Sequence, residues 1–229
     1  GSTIKPFVYQ LAFERRLLTP ASLLDDSPAQ IATAAGLYLP QNYDRDFKGW
    51  VSVRTALGNS LNVPAVRAGA MLGPDVLFAR LNAFGLELSE SGGYHGHALA
   101  LGSADVTLLG LALGPAHVAI PAGTDILADN AARARTFGLD SALATRGFAA
   151  VKTGTSKDLR DNWCVGFTDR YTVGVWVGNA SGEPMHAVSG VSGAAPVWRE
   201  IVAALHAGQP SRAPARPAGV VAQRVAFEG

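Results

Sequence analysis

Short stretches with apolar residues at helical spacing fill much of the first half of the chain. In residues 3–18 the apolar positions recur every three or four residues, which predicts an amphipathic helix with Ser2 as its N-cap. Pro64 and Pro74 each suit the first turn of a further helix, and a glycine follows each of these stretches. The pattern therefore predicts several small helices joined by short connections.

The stretches between these helices are richer in polar residues and glycine. Residues 20–50 contain many Asp, Pro, Asn and Tyr residues and are predicted to be loop, followed by a short helix over residues 51–57. Residues 105–113 are apolar and predicted to be helical, with Gly114 and Pro115 breaking the chain after them.

The second half of the chain contains strand patterns. Residues 151–156 follow an apolar run, and residues 162–168 and 171–178 are almost continuously apolar, as expected of strands in a sheet covered on both faces. The two residues between the last two runs suit a hairpin connection. Residues 195–206 are predicted to form a final helix with one apolar side. Together these patterns predict an α/β domain of the α+β kind, with a central antiparallel sheet, helices on both faces and a helical lobe.

Composition and charge exclude several classes of function. The 229 residues are 48% hydrophobic and 16% charged with a net charge of +1, which indicates a globular protein with no general attraction for nucleic acid. Cys164 is the single cysteine, so an internal disulfide and a cysteine-based metal cluster are excluded. His95 and His97 lie two residues apart, but no further ligands cluster with them in the sequence. We therefore predict neither a metal nor another cofactor.

The ends of the chain suggest a larger parent protein. Residues 1–208 are predicted to form one domain, residues 209–219 a Pro/Arg-rich linker, and residues 220–229 the start of a further domain. No apolar run reaches the about 18 residues expected of a membrane helix. Because the first residue already lies inside a motif, we expect the chain to be a piece of a longer protein. We expect this chain to be attached to a membrane only through an anchor of the longer protein that is absent from this chain.

Three short motifs carry the candidate chemistry, and the first contains Ser2 and Lys5. These residues are three apart at a predicted helix start, so their side chains can share one face. A serine hydroxyl is a poor nucleophile without a nearby base, and a lysine can act as that base only when it is neutral. A closed pocket and a neighbouring cation would lower the pKa of the lysine. Ser2 is therefore the candidate nucleophile and Lys5 the candidate base.

The other two motifs supply the remaining groups. Ser60 can relay a proton between Lys5 and a leaving group, and Asn62 can donate its amide to a substrate carbonyl while its oxygen accepts from Lys5. Lys152 would lower the pKa of Lys5 and attract a substrate carboxylate. The strand of Lys152 also offers a backbone edge to which an extended peptide can add, and Gly154 leaves room for it.

The backbone of the same strand suggests how a reaction intermediate is stabilised. The N–H groups of Ser2 and Thr155 would together form an oxyanion hole, in which developing negative charge meets donors already in place.

The three motifs, in this order, resemble those of penicillin-binding proteins and class A β-lactamases, with Ser-x-Asn in place of Ser-Asp-Asn. Their surroundings are similar to the transpeptidase domain of class A penicillin-binding proteins in the stretches GSTIKPF (1–7), SLNVPAV (60–66) and VKTGTS (151–156). Other stretches resemble the penicillin-binding protein 1C branch, namely DNAARA (129–134), FGLD (137–140) and RDNWCVG (160–166). The resemblance covers most of residues 1–208.

The resemblance implies a β-lactamase/transpeptidase-like fold and a peptidoglycan D,D-transpeptidase at the periplasmic face of the bacterial inner membrane. Its serine would attack the D-Ala-D-Ala bond of a stem peptide, release D-alanine and pass the acyl group to an amine of a neighbouring stem. β-Lactam antibiotics would acylate the same serine. Carried over position by position, the catalytic residues are Ser2, Lys5, Ser60, Asn62 and Lys152, and the substrate-binding residues are Thr153, Gly154 and Thr155.

The chain departs from the family pattern at its beginning. Family domains have strands before the nucleophile helix that join the central sheet, and none can precede Ser2 here. We therefore expect these N-terminal strands to be missing and one sheet edge to be unpaired.

Other interpretations stay open from the sequence. A hydrolytic enzyme, either a D,D-carboxypeptidase or a β-lactamase, would use the same motifs, although no convincing deacylating glutamate supports β-lactam hydrolysis. A non-catalytic scaffold or an inactive truncated module is the alternative of another class. In that case Ser2 is only a helix cap and residues 60–62 are only a turn. The charge of Lys152 on an edge strand then disfavours aggregation through that edge. Acylation by a labelled penicillin distinguishes an enzyme from this non-catalytic alternative, and release of D-alanine without a crosslinked product would favour the carboxypeptidase.

Overall fold

The chain begins in a short helical segment that differs from the predicted helix at both ends. The computed structural model describes residues 1–33, 36–117, 121–215 and 226. A 3₁₀ turn, Ser2–Ile4, runs directly into helix α1, Lys5–Glu14. Ser2 lies inside this turn and does not cap it, because Gly1 holds the cap position and no side chain bonds there. The helix ends at Glu14 because Arg16 turns the chain with a φ of 57°.

Further helices form a lobe around α1. They are α2 (Val53–Gly58), α3 (Asn62–Leu72), α4 (Pro74–Ala83), α5 (Gly92–His95), a 3₁₀ segment (Gly96–Leu101), α6 (Leu108–His117), α7 (Pro121–Ala128) and α8 (Asn130–Phe137). Gly73 and Gly85, with φ of 84° and 80°, end α3 and the α4 region as the sequence predicts. The predicted break after residue 113 is wrong, because α6 continues to His117.

Two small antiparallel pairs occupy the region predicted as loop. Strand β1 (Leu23–Asp26) pairs with β4 (Gly49–Ser52), and β2 (Ile31–Thr33) pairs with β3 (Gly36–Tyr38). The helix predicted over residues 51–57 accordingly starts two residues later, at Val53. Strands of three or four residues are too short to show a clear alternation of apolar and polar positions.

The central sheet is antiparallel, as predicted, and contains β5 (Ala150–Thr155), β6 (Asp161–Phe167) and β7 (Thr172–Gly178) in the order β5-β6-β7. The predicted two-residue connection is present, since the Thr168 N–H donates to the Tyr171 carbonyl oxygen across it at 2.8 Å. The predicted last helix is also confirmed as α9, Ala195–Leu205.

Helices cover both faces of this sheet. On one face Trp198 of α9 donates its indole N–H to the Val173 carbonyl oxygen, and a Cβ at Gly166 would lie 2.6 Å from its ring. On the other face a Cβ at Gly174 would lie 3.0 Å from Leu108 of α6. The faces belong to two apolar clusters: Val165 packs with the helical lobe, whereas its neighbour Cys164 packs with α9. The sheet therefore lies between the two apolar cores and contributes side chains to both.

Two remaining expectations concern membranes and the chain end. No described helix is long and apolar enough to cross a membrane. The described linker residues 209–215 form neither helix nor strand. The segment predicted to start a further domain lies outside the described residues, apart from residue 226.

Candidate active site

The N-terminal turn lies directly against strand β5. The Lys5 N–H donates to the Ser2 carbonyl oxygen within the 3₁₀ turn, which places the two side chains on one face. A Cβ at Gly154 would lie 3.2 Å from the Ser2 backbone nitrogen and 3.0 Å from that of Thr3. The backbones of the strand and of the N-terminal turn can approach each other this closely because Gly154 has no side chain. The first and third sequence motifs therefore meet, as the sequence predicts.

Lys5 is completely buried and points at the second motif. Its Nζ lies 2.5 Å from the Ser60 carbonyl oxygen, 2.6 Å from Asn62 Oδ1 and 3.2 Å from Ser60 Oγ. Burial lowers the pKa of Lys5 well below its usual range, and the charge of Lys152 lowers it further. Such a shift favours the neutral amine, which has a lone pair with which to accept a proton.

Lys152 approaches the same hydroxyl from the strand. Its Nζ donates to Ser60 Oγ at 2.8 Å and to the Thr153 carbonyl oxygen at 2.7 Å. Burial lowers the pKa of Lys152 to about 7; the nearby Cys164 acts against this shift, and the charge of Arg133 adds to it. The Ser60 hydroxyl thus lies between two amines whose pKa values are both lowered. Such a hydroxyl can pass a proton from one side of the site to the other.

The second motif is held in place by a loop that the sequence did not single out. Asn42 is buried, and its Oδ1 accepts from the backbone N–H groups of Asn62 at 2.7 Å and Val63 at 3.3 Å, so it caps α3 from a distance. Its Nδ2 donates to both carboxylate oxygens of the buried Asp26. Asn42 precedes Asn62 by 20 residues, so no local capping pattern could have identified it.

Hydrogen bonds hold both polar atoms of the Asn62 carboxamide. Its oxygen accepts from Lys5, as predicted, and its Nδ2 donates to the Gln41 carbonyl oxygen at 2.8 Å. A carboxamide nitrogen carries two N–H groups. The second one remains for the substrate carbonyl that the sequence predicts as its acceptor.

A glycine-containing loop supports the outer part of strand β5. The Gly190 N–H donates to Thr155 Oγ1 at 2.9 Å, so the hydroxyl hydrogen of Thr155 can point to another acceptor. A Cβ at Gly190 would lie 2.5 Å from the Gly154 carbonyl oxygen. Gly190 begins a π-helical turn, Gly190–Ala194. Thr153 is buried in the strand beside Lys152.

The chain is similar to known proteins in sequence and in fold. Residues 1–112 match the family described as the penicillin binding protein transpeptidase domain. The chain is 34% identical over 228 residues to penicillin-binding protein 1C of Escherichia coli strain K12, a match that covers 88% of this chain and 29% of that protein. The chain thus spans less than a third of the length of this curated relative.

Solved structures share the fold. A crystal structure of penicillin-binding protein 1A from Haemophilus influenzae matches with a TM-score of 0.81 and 22% identity, over 96% of this chain and 44% of that chain. The imipenem acyl-enzyme complex of penicillin-binding protein A from M. tuberculosis matches with a TM-score of 0.67 and 18% identity, over 90% of this chain and 59% of that chain. These matches confirm the predicted fold class.

Proposed function

Because the chain belongs to the penicillin-binding protein transpeptidase family, we propose that it is a serine D,D-transpeptidase that crosslinks peptidoglycan stem peptides. One observation carries the proposal. The Ser60 hydroxyl contacts the amines of two buried lysines, Lys5 and Lys152, beside the turn that carries Ser2. This arrangement provides a base, a proton relay and a cation next to one serine.

Acylation would proceed by transfer of one proton through this arrangement. Ser2 Oγ attacks the carbonyl carbon of the penultimate D-alanine and gives its proton to neutral Lys5. The oxyanion that forms accepts hydrogen bonds from the N–H groups of Ser2 and Thr155. The intermediate then breaks its C–N bond, and Ser60 delivers the proton from Lys5 to the departing nitrogen. D-Alanine leaves, and the peptide stays as an ester on Ser2.

The substrate carboxylate would be held by the strand. Lys152 provides the cation, and the hydroxyl of Thr155, oriented by the Gly190 N–H, provides a hydrogen bond, with Thr153 beside them. An amine of a second stem peptide then attacks the ester and restores Ser2. Because peptidoglycan is the substrate, the reaction would take place at the periplasmic face of the inner membrane.

β-Lactam antibiotics are the expected inhibitors. One structural neighbour is an imipenem acyl-enzyme complex, and it shares this fold. A β-lactam presents a strained amide and a carboxylate in the positions that the mechanism assigns to the dipeptide, and its carbonyl would form the same ester with Ser2.

The test is covalent labelling by a fluorescent penicillin. We expect wild-type protein to be labelled and Ser2→Ala to lose all labelling, while the exposed cap variant Ser91→Ala is labelled like wild type. Undiminished labelling of Ser2→Ala, or no labelling of folded wild-type protein, contradicts the proposal. A stem pentapeptide supplied with an acceptor amine then distinguishes crosslinking from simple hydrolysis, because only crosslinking yields a dimer along with free D-alanine.

A further inference from the structure

The hydroxyl between the two lysines sits on a residue with an unusual backbone. Ser60 adopts a φ of 58° in the turn between α2 and α3. Residues other than glycine rarely adopt this conformation and keep it only when their surroundings hold them there. The position of the Ser60 hydroxyl therefore depends on what fixes this turn.

Asn59, the residue before Ser60, makes the contacts that fix the turn. It is buried, and its Nδ2 donates to the Thr55 carbonyl oxygen at 3.0 Å and to the Ala132 carbonyl oxygen at 2.8 Å. Its Oδ1 accepts from the Thr136 N–H at 2.8 Å. Two of these bonds reach α8, more than 70 residues further along the chain.

The contact with α8 is close and leads back to the site. A Cβ at Gly58 would lie 2.5 Å from the Ala132 carbonyl oxygen, so α2 and α8 touch through their backbones. The next residue of α8, Arg133, is buried and donates to the Leu127 carbonyl oxygen at 2.6 Å. Its charge acts on Lys152. Helix α8 thus contacts the Ser60 turn directly and carries a charge that acts on Lys152.

We infer that Asn59 is a positioning residue for the reaction at Ser2: its amide fastens the Ser60 turn to α8 and thereby holds the Ser60 hydroxyl between Lys5 and Lys152. The inference rests on the proposed function and adds to it a residue outside the three motifs. Asn59 itself makes no contact with either lysine among its described hydrogen bonds. It acts through Ser60.

Acylation kinetics provide the first test. We expect Asn59→Ala to lower the second-order rate of acylation by a fluorescent penicillin at least about tenfold. The same change in a Ser60→Ala background should have less than about a twofold effect, because the residue through which Asn59 acts is then absent. Asn82→Ala is the matched control, since it also removes a side-chain bond to the backbone, at Leu88, and should leave the rate near wild type. Equal effects of Asn59→Ala in both backgrounds would overturn the inference.

A lysine titration tests the same point without any acylation. Lysine carrying ¹³C at Cε reports the protonation of Lys152, whose charged surroundings are Lys5 on α1, Arg133 on α8 and the Cys164 thiol on β6. In Asn59→Ala the titration of Lys152 should shift toward that of Ser60→Ala, and in Asn82→Ala it should match wild type. An unchanged titration in Asn59→Ala refutes the positioning role even if wild-type protein fails to react with penicillin. A failure of labelling alone counts against the proposed function instead.

If Asn59→Ala does not fold, Asn59→Asp serves in its place. Aspartate keeps the acceptor for the Thr136 N–H but loses the donor to the Thr55 and Ala132 carbonyl oxygens, so its acylation rate should fall between those of wild type and Ser60→Ala. A rate equal to wild type counts against the inference.

Discussion

At the scale of single residues, two amines are buried where cations are normally excluded. The hydrogen-bond partners of Lys5 and Lys152 among the described residues are carbonyl, amide and hydroxyl oxygens, with no carboxylate. A cation without a counter-ion in a dry site gives up its proton readily. Burial therefore favours the neutral form of both amines, at a cost to folding that depends on pH.

This cost predicts how stability changes with pH. The folded-state pKa of Lys152 is about 7, whereas the unfolded chain keeps the usual value of 10.5. Between these values the unfolded state binds the additional proton, so the free energy of unfolding rises with pH, by up to about 1.4 kcal/mol per pH unit for one lysine. Lys152→Met should remove that part of the slope between pH 7 and 8, where the Cys164 thiol and the Tyr9 hydroxyl of the unfolded chain, with usual pKa values of 9.0 and 10.0, are still mostly protonated.

Chemical denaturation at several pH values measures this slope. Lys5 contributes in the same direction because its pKa is also lowered, so some slope remains in Lys152→Met. The exposed Lys157→Met is the control and should leave the slope as in wild type. Equal slopes for Lys152→Met and wild type would show that Lys152 is charged in the folded protein.

At the scale of elements, the site depends on how closely strand β5 approaches the turn before α1. The strand carries Lys152 and Gly154 two residues apart, so one faces Ser60 while the other leaves space for the Ser2 turn. The cap that Asn42 provides fixes the start of α3, two residues after Ser60. Each element brings one motif, and each is fixed by contacts to a different element.

Gly154→Ala tests this close approach. The added Cβ would lie 3.0 Å from the Thr3 nitrogen, so the turn and the strand must separate by a few tenths of an ångström. We expect acylation by penicillin to fall at least about tenfold and the free energy of unfolding to fall by about 1–3 kcal/mol. Gly208→Ala, where no atom lies within 4 Å of the added Cβ, is the control. An acylation rate equal to wild type would mean that the proposed nucleophile, Ser2, does not depend on this contact.

At the scale of the whole molecule, the sheet joins two apolar cores. The helical lobe packs on one face of the sheet through Val165, and α9 packs on the other through Trp198. Because β6 contributes alternate residues to both cores, neither core can open without exposing the strand that the other needs. The domain should therefore unfold as one cooperative unit.

Trp198→Ala tests this cooperativity. Loss of a fully buried indole should lower the free energy of unfolding by about 3–5 kcal/mol. Hydrogen exchange of the α3 amides, which lie in the other core, should accelerate to the same extent as that of the β6 amides. Val197→Ala on the exposed side of the same helix should cost less than about 1 kcal/mol. Acceleration confined to the sheet and α9 would show that the two cores unfold separately.

The sequence alone identified the strands of the sheet, the helix ends at Gly73 and Gly85, and the motif residues themselves. Turn glycines, apolar alternation and motif spacing act over a few neighbouring residues, so they can be recognised without knowledge of the fold. The same local patterns placed the end of α1 too late and predicted a helix break at Gly114, whereas α1 ends at Glu14 and α6 continues to His117. At both places packing outweighs helix propensity.

Only the tertiary structure decided that the amines of Lys5 and Lys152 lie at the Ser60 hydroxyl and how far their pKa values are lowered. Lys5 and Ser60 are 55 residues apart, and Ser60 and Lys152 are 92 residues apart. Asn42 and Asn59 support them from positions with no local signal. The pKa of a lysine depends on burial and on neighbouring charges, and both are created when distant segments pack together. The order of residues specifies the parts of the site, and long-range packing sets their distances and protonation.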